Sequence, residues 1–258
     1  MADRAPSVAV IGAARGMGRA TALRLVGLGR RVGAIDLDSP CSDLGYQLGN
    51  IAEAELPEEV ERIGADLRDP AQAERAALLA ERALGGVDQL VVAAGGIVGG
   101  RPLAETPAQE LHLALEFNLV VLHNAVRAFL PLLRRSPEPA SRRIVAVVSV
   151  AGGKGLWGLG AYAAAKHGMV GYLRTLAIEL AEERIGVNWV SPGSTRTAML
   201  DRSAALYGLA SAEEFKEHQP FGRLIEPGEI AAAIEFLLSA GAAGMTGVDL
   251  RVDAGLGL

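Results

Sequence analysis

The chain has 258 residues, half of them hydrophobic, and a formal net charge of −5. α/β folds reach about 250 residues as one unit, so a single domain over 1–258 with a large core is expected. The mild acidity and the lack of any basic run argue against nucleic acid or an anionic membrane as partner.

One cysteine, Cys41, excludes an internal disulfide and a Cys-based metal cluster, and the four histidines lack metal-ligand spacing. Met1–Ser7 is short and polar and runs straight into an apolar stretch, so no secretory leader is expected. No uninterrupted apolar run suggests a membrane span. These features predict a soluble cytoplasmic protein.

Val8–Ile11 is the first predicted strand, followed by a glycine turn and a helix over Gly18–Leu28. Val32–Asp36 is the second strand. Leu37–Pro57 then breaks the pattern, with Pro40, Gly45, Gly49 and Pro57 and little periodicity. Strand Glu61–Asp66, helix Ala71–Leu84, strand Leu90–Ala94 and helix Pro107–Leu133 follow. Arg135–Arg143 reads as a surface loop. Strand Ile144–Val150, helix Tyr162–Glu183 and strand Val187–Ser191 come next. The irregular segment Ser194–Arg223, helix Pro227–Leu238 and strand Val248–Val252 complete the chain.

The strand interiors are nearly all apolar, as in strands covered on both faces. The alternation predicts an α/β, doubly wound, seven-stranded parallel sheet flanked by helices. The two long segments, 37–57 and 194–223, both follow strand ends where such sheets bind ligands. The first is expected as an insert near a bound nucleotide and the second as a substrate lid.

The turn Gly12-Ala13-Ala14-Arg15-Gly16-Met17-Gly18 joins strand to helix. Its glycines allow backbone to approach a pyrophosphate, and the helix N-terminus favours the anion. Asp36 closes the second strand, where a carboxylate accepts hydrogen bonds from a ribose diol and repels a 2′-phosphate. Arg15 argues the other way, since a guanidinium there can pair with that phosphate or face solvent or another acid. The balance favours NAD over NADP. Asp66, at the third strand's end, is a candidate for the adenine edge or a turn residue.

Ser149, Tyr162 and Lys166 stand in the spacing Ser-x12-Tyr-x3-Lys. Residues four apart share a helix face, so an ammonium beside the phenol would lower its pKa and let it act as a base near neutrality. A nucleotide seat plus an activated phenol suggests hydride transfer between a nicotinamide and an alcohol or carbonyl.

These residues carry a resemblance. The chain looks like the compact single-domain branch of the short-chain dehydrogenase/reductase family over nearly its whole length. The family's T-G-x3-G-x-G stands here as Ile11 to Gly18, with Ile11 in place of threonine. Its N-N-A-G stands as Val92-Ala93-Ala94-Gly95, with both asparagines gone. The resemblance implies a Rossmann domain in which Ser149, Tyr162, Lys166 and Asn118 are catalytic, Asn118 holding a water that leads protons from Lys166 to solvent. It implies cofactor contacts from Gly12, Arg15, Gly16, Met17, Gly18, Asp36, Leu37, Asp66, Leu67, Ala94, Gly95 and Gly96. Tyr162, Lys166, Pro192, Gly193, Thr195 and Thr197 complete that set. Val252-Asp253-Ala254-Gly255 resembles the family's close, with Ala254 where glycine is common. A homotetramer is also implied, with the helices of 107–133 and 162–183 pairing across subunits.

Leu44-Gly45-Tyr46-Gln47-Leu48, Ala93-Ala94-Gly95-Gly96 and the stretch from Ser194 to Pro220 are similar to mycofactocin-associated members. That similarity implies an insert covering a tightly held nicotinamide, recycled in place by a small redox carrier. An ordinary member with a decorative loop is the alternative. Trp157, Tyr207, Phe215 and His218 are candidates for the substrate side in a chain with only two tryptophans, four tyrosines and five phenylalanines. The hydrophobic bias suggests an apolar alcohol or ketone. A nucleotide-sensing regulator and an NADP-dependent carbonyl reductase are the competing functions.

Overall fold

A computed structural model describes residues 5–39 and 41–258. Met1–Arg4, on which the leader argument partly rests, and Pro40 of the insert lie outside the described residues.

β1 (Ser7–Ile11) leads through the glycine turn into α1 (Gly16–Gly27), and β2 (Arg31–Asp36) follows. β3 (Glu61–Gly64), α2 (Pro70–Leu84) and β4 (Gln89–Val92) come next. Two helices, α3 (Ala108–Leu115) and α4 (Val121–Arg135), are joined by a widened π turn at Glu116–Val120. β5 (Arg143–Val147), α5 (Gly160–Glu179) and β6 (Gly186–Pro192) precede α6 (Ala198–Tyr207), α7 (Pro227–Leu238) and β7 (Asp249–Val252).

The seven strands form one parallel sheet in the order β3-β2-β1-β4-β5-β6-β7. Alternate side chains of each strand enter different cores. Ala9 and Ile11 pack with α2, α4 and α5, whereas Val8 and Val10 pack with α1 and α7. Helices on both faces explain why the strand sequences are apolar throughout rather than alternating. The order reverses between β1 and β4, and the crevice beyond their C-terminal ends is the expected ligand site of such a sheet.

Several boundaries differ from the sequence expectations. β3 stops at Gly64 and β5 at Val147, because the chain leaves the sheet there to line the crevice. The helix predicted to reach Glu183 stops at Glu179, and Arg184 takes a positive φ of 54° as the chain turns back toward β6. The segment 194–223 is not irregular. It contains α6, capped by the Thr197 hydroxyl accepting from the Leu200 N–H, and a short helix at Ala212–His218.

The continuous helical run Ala108–Arg135 is long and apolar enough by length and composition to cross a membrane. Here Val121, Leu122, Val126, Phe129 and Leu133 of its second half lie in the larger core cluster, and Leu111, Ala114 and Phe117 of its first half pack with the insert. Burial of these residues accounts for its hydrophobicity.

Candidate active site

The glycine turn is a cradle made of backbone. Gly12 adopts a φ of +83°, and a Cβ there would lie 2.4 Å from the Ala94 nitrogen. A Cβ on Gly18 would lie 2.0 Å from the Gly12 carbonyl oxygen. The turn therefore brings β1, α1 and the end of β4 closer together than any side chain permits. It opens on a cavity of about 470 Å³ lined by Gly12, Arg15 to Gly18, Asp36, Leu37, Asp66, Leu67, Ala94 and Gly95.

Asp36 accepts from the Ala14 N–H at 2.9 Å and the Leu37 N–H at 2.8 Å. Burial raises its pKa, while those two amides and the nearby Arg15 pull the other way. Arg15 is half-buried and its charge favours the ionised form of Asp36. It donates to the Gln47 carbonyl at 2.7 Å and lies 5.7 Å above the Tyr46 ring, which commits it to the insert. The Asp66 carboxylate is held by Arg68 at 2.6 Å, so its charge is neutralised within its own turn. Arg68 also reaches Asp43 of the insert at 2.7 Å.

A second cavity of about 440 Å³ shares Met17, Thr197 and Met199 with the first. Ser149, Tyr162, Pro192, Gly193, Thr195 and Thr197 line it, with Tyr207, Phe215 and His218 farther along. Ser149 follows β5, and its hydroxyl accepts from the Ala151 N–H at 3.1 Å. Tyr162 and Lys166 share one face of α5, with the Lys166 Nζ 5.6 Å from the Tyr162 ring centroid.

Three expected site residues lie behind the walls. Lys166 and Asn118 line neither cavity, but both converge on Gly95. A Cβ there would stand 2.9 Å from the Asn118 Oδ1 and 3.4 Å from the Lys166 Nζ. Lys166 donates to the Val147 carbonyl at 3.2 Å. Asn118 donates to the Gly96 and Ala114 carbonyls, and its buried Oδ1 has no partner. Gly96 faces the insert instead of the cavity: its Cβ would lie 2.1 Å from the Leu44 Cδ1. Trp157 is 71 % exposed and outside both walls; its carbonyl accepts from the Tyr207 hydroxyl at 2.6 Å.

Lys166 does not lower the Tyr162 phenol as expected. Burial pushes Tyr162 up to about 12, against a hydrogen bond with Ser149 that lowers it, and Tyr46 adds to the rise. Burial alone pushes Lys166 down to about 7. Both groups lose more from desolvation than they gain from each other at this separation.

Deprotonated phenol is the base form, so its population below pH 12 rises about tenfold per pH unit. If Tyr162 is the acid–base group, alcohol oxidation is expected to accelerate from about pH 6 to about pH 9, while carbonyl reduction, which needs the protonated phenol, stays level. Profiles of kcat/KM in both directions check this.

The insert expected near the nucleotide does pack against the site, and the structure supplies the contacts. The Ile97 N–H donates to the Tyr46 hydroxyl at 3.2 Å, and Leu44 and Leu48 pack with Val98, Phe117 and Ala165. The Leu-Gly-Tyr-Gln-Leu motif on which that expectation rested supplies all three of these contacts, Leu44, Tyr46 and Leu48.

The residues present fit a dinucleotide: a backbone cradle at a helix N-terminus, a carboxylate in the wall, and a lysine with a single hydrogen bond under Gly95. Fold and site thus define an oxidoreductase of the nicotinamide-dependent kind. The family profile described as "Enoyl-(Acyl carrier protein) reductase" matches residues 12–257. The chain is 32 % identical over 255 residues to levodione reductase of Leifsonia aquatica, covering 96 % of this chain and 92 % of that one. It is similar to carveol dehydrogenase from Mycobacterium avium in complex with NAD, with a TM-score of 0.87, 28 % identity and 97 % of each chain covered. It is also similar to 3-ketoacyl-(acyl-carrier-protein) reductase from Brucella melitensis complexed with NADH, with a TM-score of 0.84, 26 % identity and 98 % of each chain covered. This chain belongs to the short-chain dehydrogenase/reductase family, whose members here are enzymes acting on alcohol and ketone groups.

Proposed function

We propose that the chain is an NAD-dependent alcohol dehydrogenase or carbonyl reductase with Tyr162 as general acid and base. The observation that carries this is the meeting of Ser149 and Tyr162 on one cavity wall, next to a second cavity that holds Asp36. The nicotinamide supplies a hydride acceptor or donor when bound. Tyr162 takes the alcohol proton in oxidation and returns it in reduction. Ser149 donates to the substrate oxygen as charge develops on it. Lys166 would hold the nicotinamide ribose past Gly95 with the protons that Val147 leaves free, and the Asn118 Oδ1 would hold a water that drains the proton.

NAD is favoured because Asp36 lies in the nucleotide wall held by backbone N–H groups, while Asp66 of the same wall is neutralised by Arg68 and Arg15 donates to Gln47. A neutral, largely apolar substrate is favoured because the described wall of the second cavity contains no Asp, Glu, Lys or Arg. Tyr207, Phe215 and His218 form part of that wall and Trp157 supports Tyr207 from outside.

The insert supports a narrower reading, that of a mycofactocin-associated member whose NAD does not exchange. Leu44 and Leu48 are buried against the nucleotide wall, and Arg15 and Arg68 tie the segment down. Denaturing the extensively dialysed protein and assaying released small molecules by mass spectrometry tests both points. Stoichiometric NAD or NADH is expected. An empty protein overturns retention, and recovered NADP overturns the role of Asp36. A homotetramer fits the exposure of Ile178 on α5, and light scattering that shows only monomer removes it.

A further inference from the structure

The segment after β7 is built as tightly as the site itself. The Asp253 carboxylate accepts from the Gly255 N–H at 3.0 Å and from the Gly257 N–H at 3.0 Å. The Leu256 N–H donates to the Asp253 carbonyl at 2.9 Å. Gly255 takes a φ of +89° against the Pro220 ring, where a Cβ would come within 2.8 Å. Arg251 donates to the Gly257 carbonyl at 3.2 Å. The result is a turn that presents Leu256 to the substrate cavity.

Lys154 fixes this turn from the other side. It lies on the loop that leaves Ser149, and its ammonium donates to the Leu256 carbonyl. The loop carrying the hydroxyl that would bind the substrate oxygen and the segment carrying Leu256 are thereby joined. α6, with Met199, Ser203 and Tyr207, supplies further wall of the same cavity.

We propose that Leu256 is a specificity-determining residue that limits the size of the apolar group a substrate carries beyond its reacting carbon, and that Lys154 is the positioning residue that holds it there. This rests on the carbonyl-reducing reading of the site above. A leucine in an apolar cavity discriminates by excluded volume, and one methylene in such a pocket changes selectivity by about tenfold or more. A methyl in its place leaves room for a larger ring substituent without touching Ser149 or Tyr162.

The test uses the full chain as wild type, Leu256→Ala, Lys154→Ala and Lys154→Arg. The probes are cyclohexanone and its para-methyl, para-tert-butyl and para-phenyl derivatives, with nicotinamide absorbance followed both in turnover with added NADH and in single turnovers of enzyme-bound NADH. Binding of the hydrocarbons cyclohexane and phenylcyclohexane is measured by calorimetry alongside. Leu256→Ala is expected to raise kcat/KM for the phenyl ketone about tenfold relative to cyclohexanone, mainly through KM. Lys154→Ala shifts the same ratio in the same direction, and Lys154→Arg restores it. An unchanged ratio in folded Leu256→Ala overturns the proposal. If no ketone is turned over by the wild type, the reaction assigned to the site is at fault. The hydrocarbons then still decide: tighter binding of phenylcyclohexane to Leu256→Ala sustains the size limit, and equal binding overturns it.

Discussion

Tyr162→Phe is expected to lower hydride transfer by about a thousandfold, within the range that a positioned acid–base group contributes. The ring packs in a small cluster with Ile97, Ala151, Leu159 and Ala163, and phenylalanine keeps those contacts. Fold and bound nucleotide should therefore survive, and only the proton step is lost. Rapid-mixing measurement of the nicotinamide signal, with released nucleotide assayed in parallel, separates these effects. Full activity in the variant would sink the mechanism. The prediction is sharp because the described cavity wall holds no Asp, Glu, Lys or Arg that could take over the proton.

Gly18→Ala is expected to weaken nucleotide binding about a hundredfold, or about 2.7 kcal/mol, and to lower the melting temperature. The added methyl meets the Gly12 oxygen at 2.0 Å and the Gly12 carbonyl carbon at 2.7 Å. Both are backbone atoms, so no rotamer change relieves the clash and the turn must open. Gly27→Ala is the control. It lies at the end of the same helix with nothing within 4 Å of its Cβ, and alanine there favours the helix. Calorimetric titration with NAD after nucleotide removal, together with thermal unfolding of both variants, gives the comparison. Equal affinity in Gly18→Ala would show that the turn does not seat the phosphates.

The sheet was legible because its signal is local. Each strand is a short apolar run between turn residues, and seven such runs were found where seven strands lie. The glycine turn was legible for the same reason. Two features depended on contacts far apart in sequence and were not. The π turn that places Asn118 is hidden inside one helical pattern, because widening by a single residue leaves the apolar periodicity almost intact. The protonation of Tyr162 and Lys166 depends on burial under Gly95 and the insert, which spacing does not reveal. Trp157 was misplaced because proximity in sequence to Ser149 and Tyr162 says nothing about which way a loop residue faces. Ala254 explains a departure in the closing motif: it holds a φ of 50°, the left-handed region that glycine adopts without strain.

The contact between Gly96 and Leu44 bears on how the insert could be moved between proteins. Residues 37–57 could not be transplanted alone into a relative with a side chain at the position of Gly96. Leu44 would then face a methyl carbon at 2.1 Å, with the Phe117 Cβ only 3.2 Å away on another side. Host and graft would have to be altered as a pair, the recipient giving up its side chain so that the donor's leucine can seat. The loop that follows β4 is in this sense the socket for a plug encoded some fifty positions earlier.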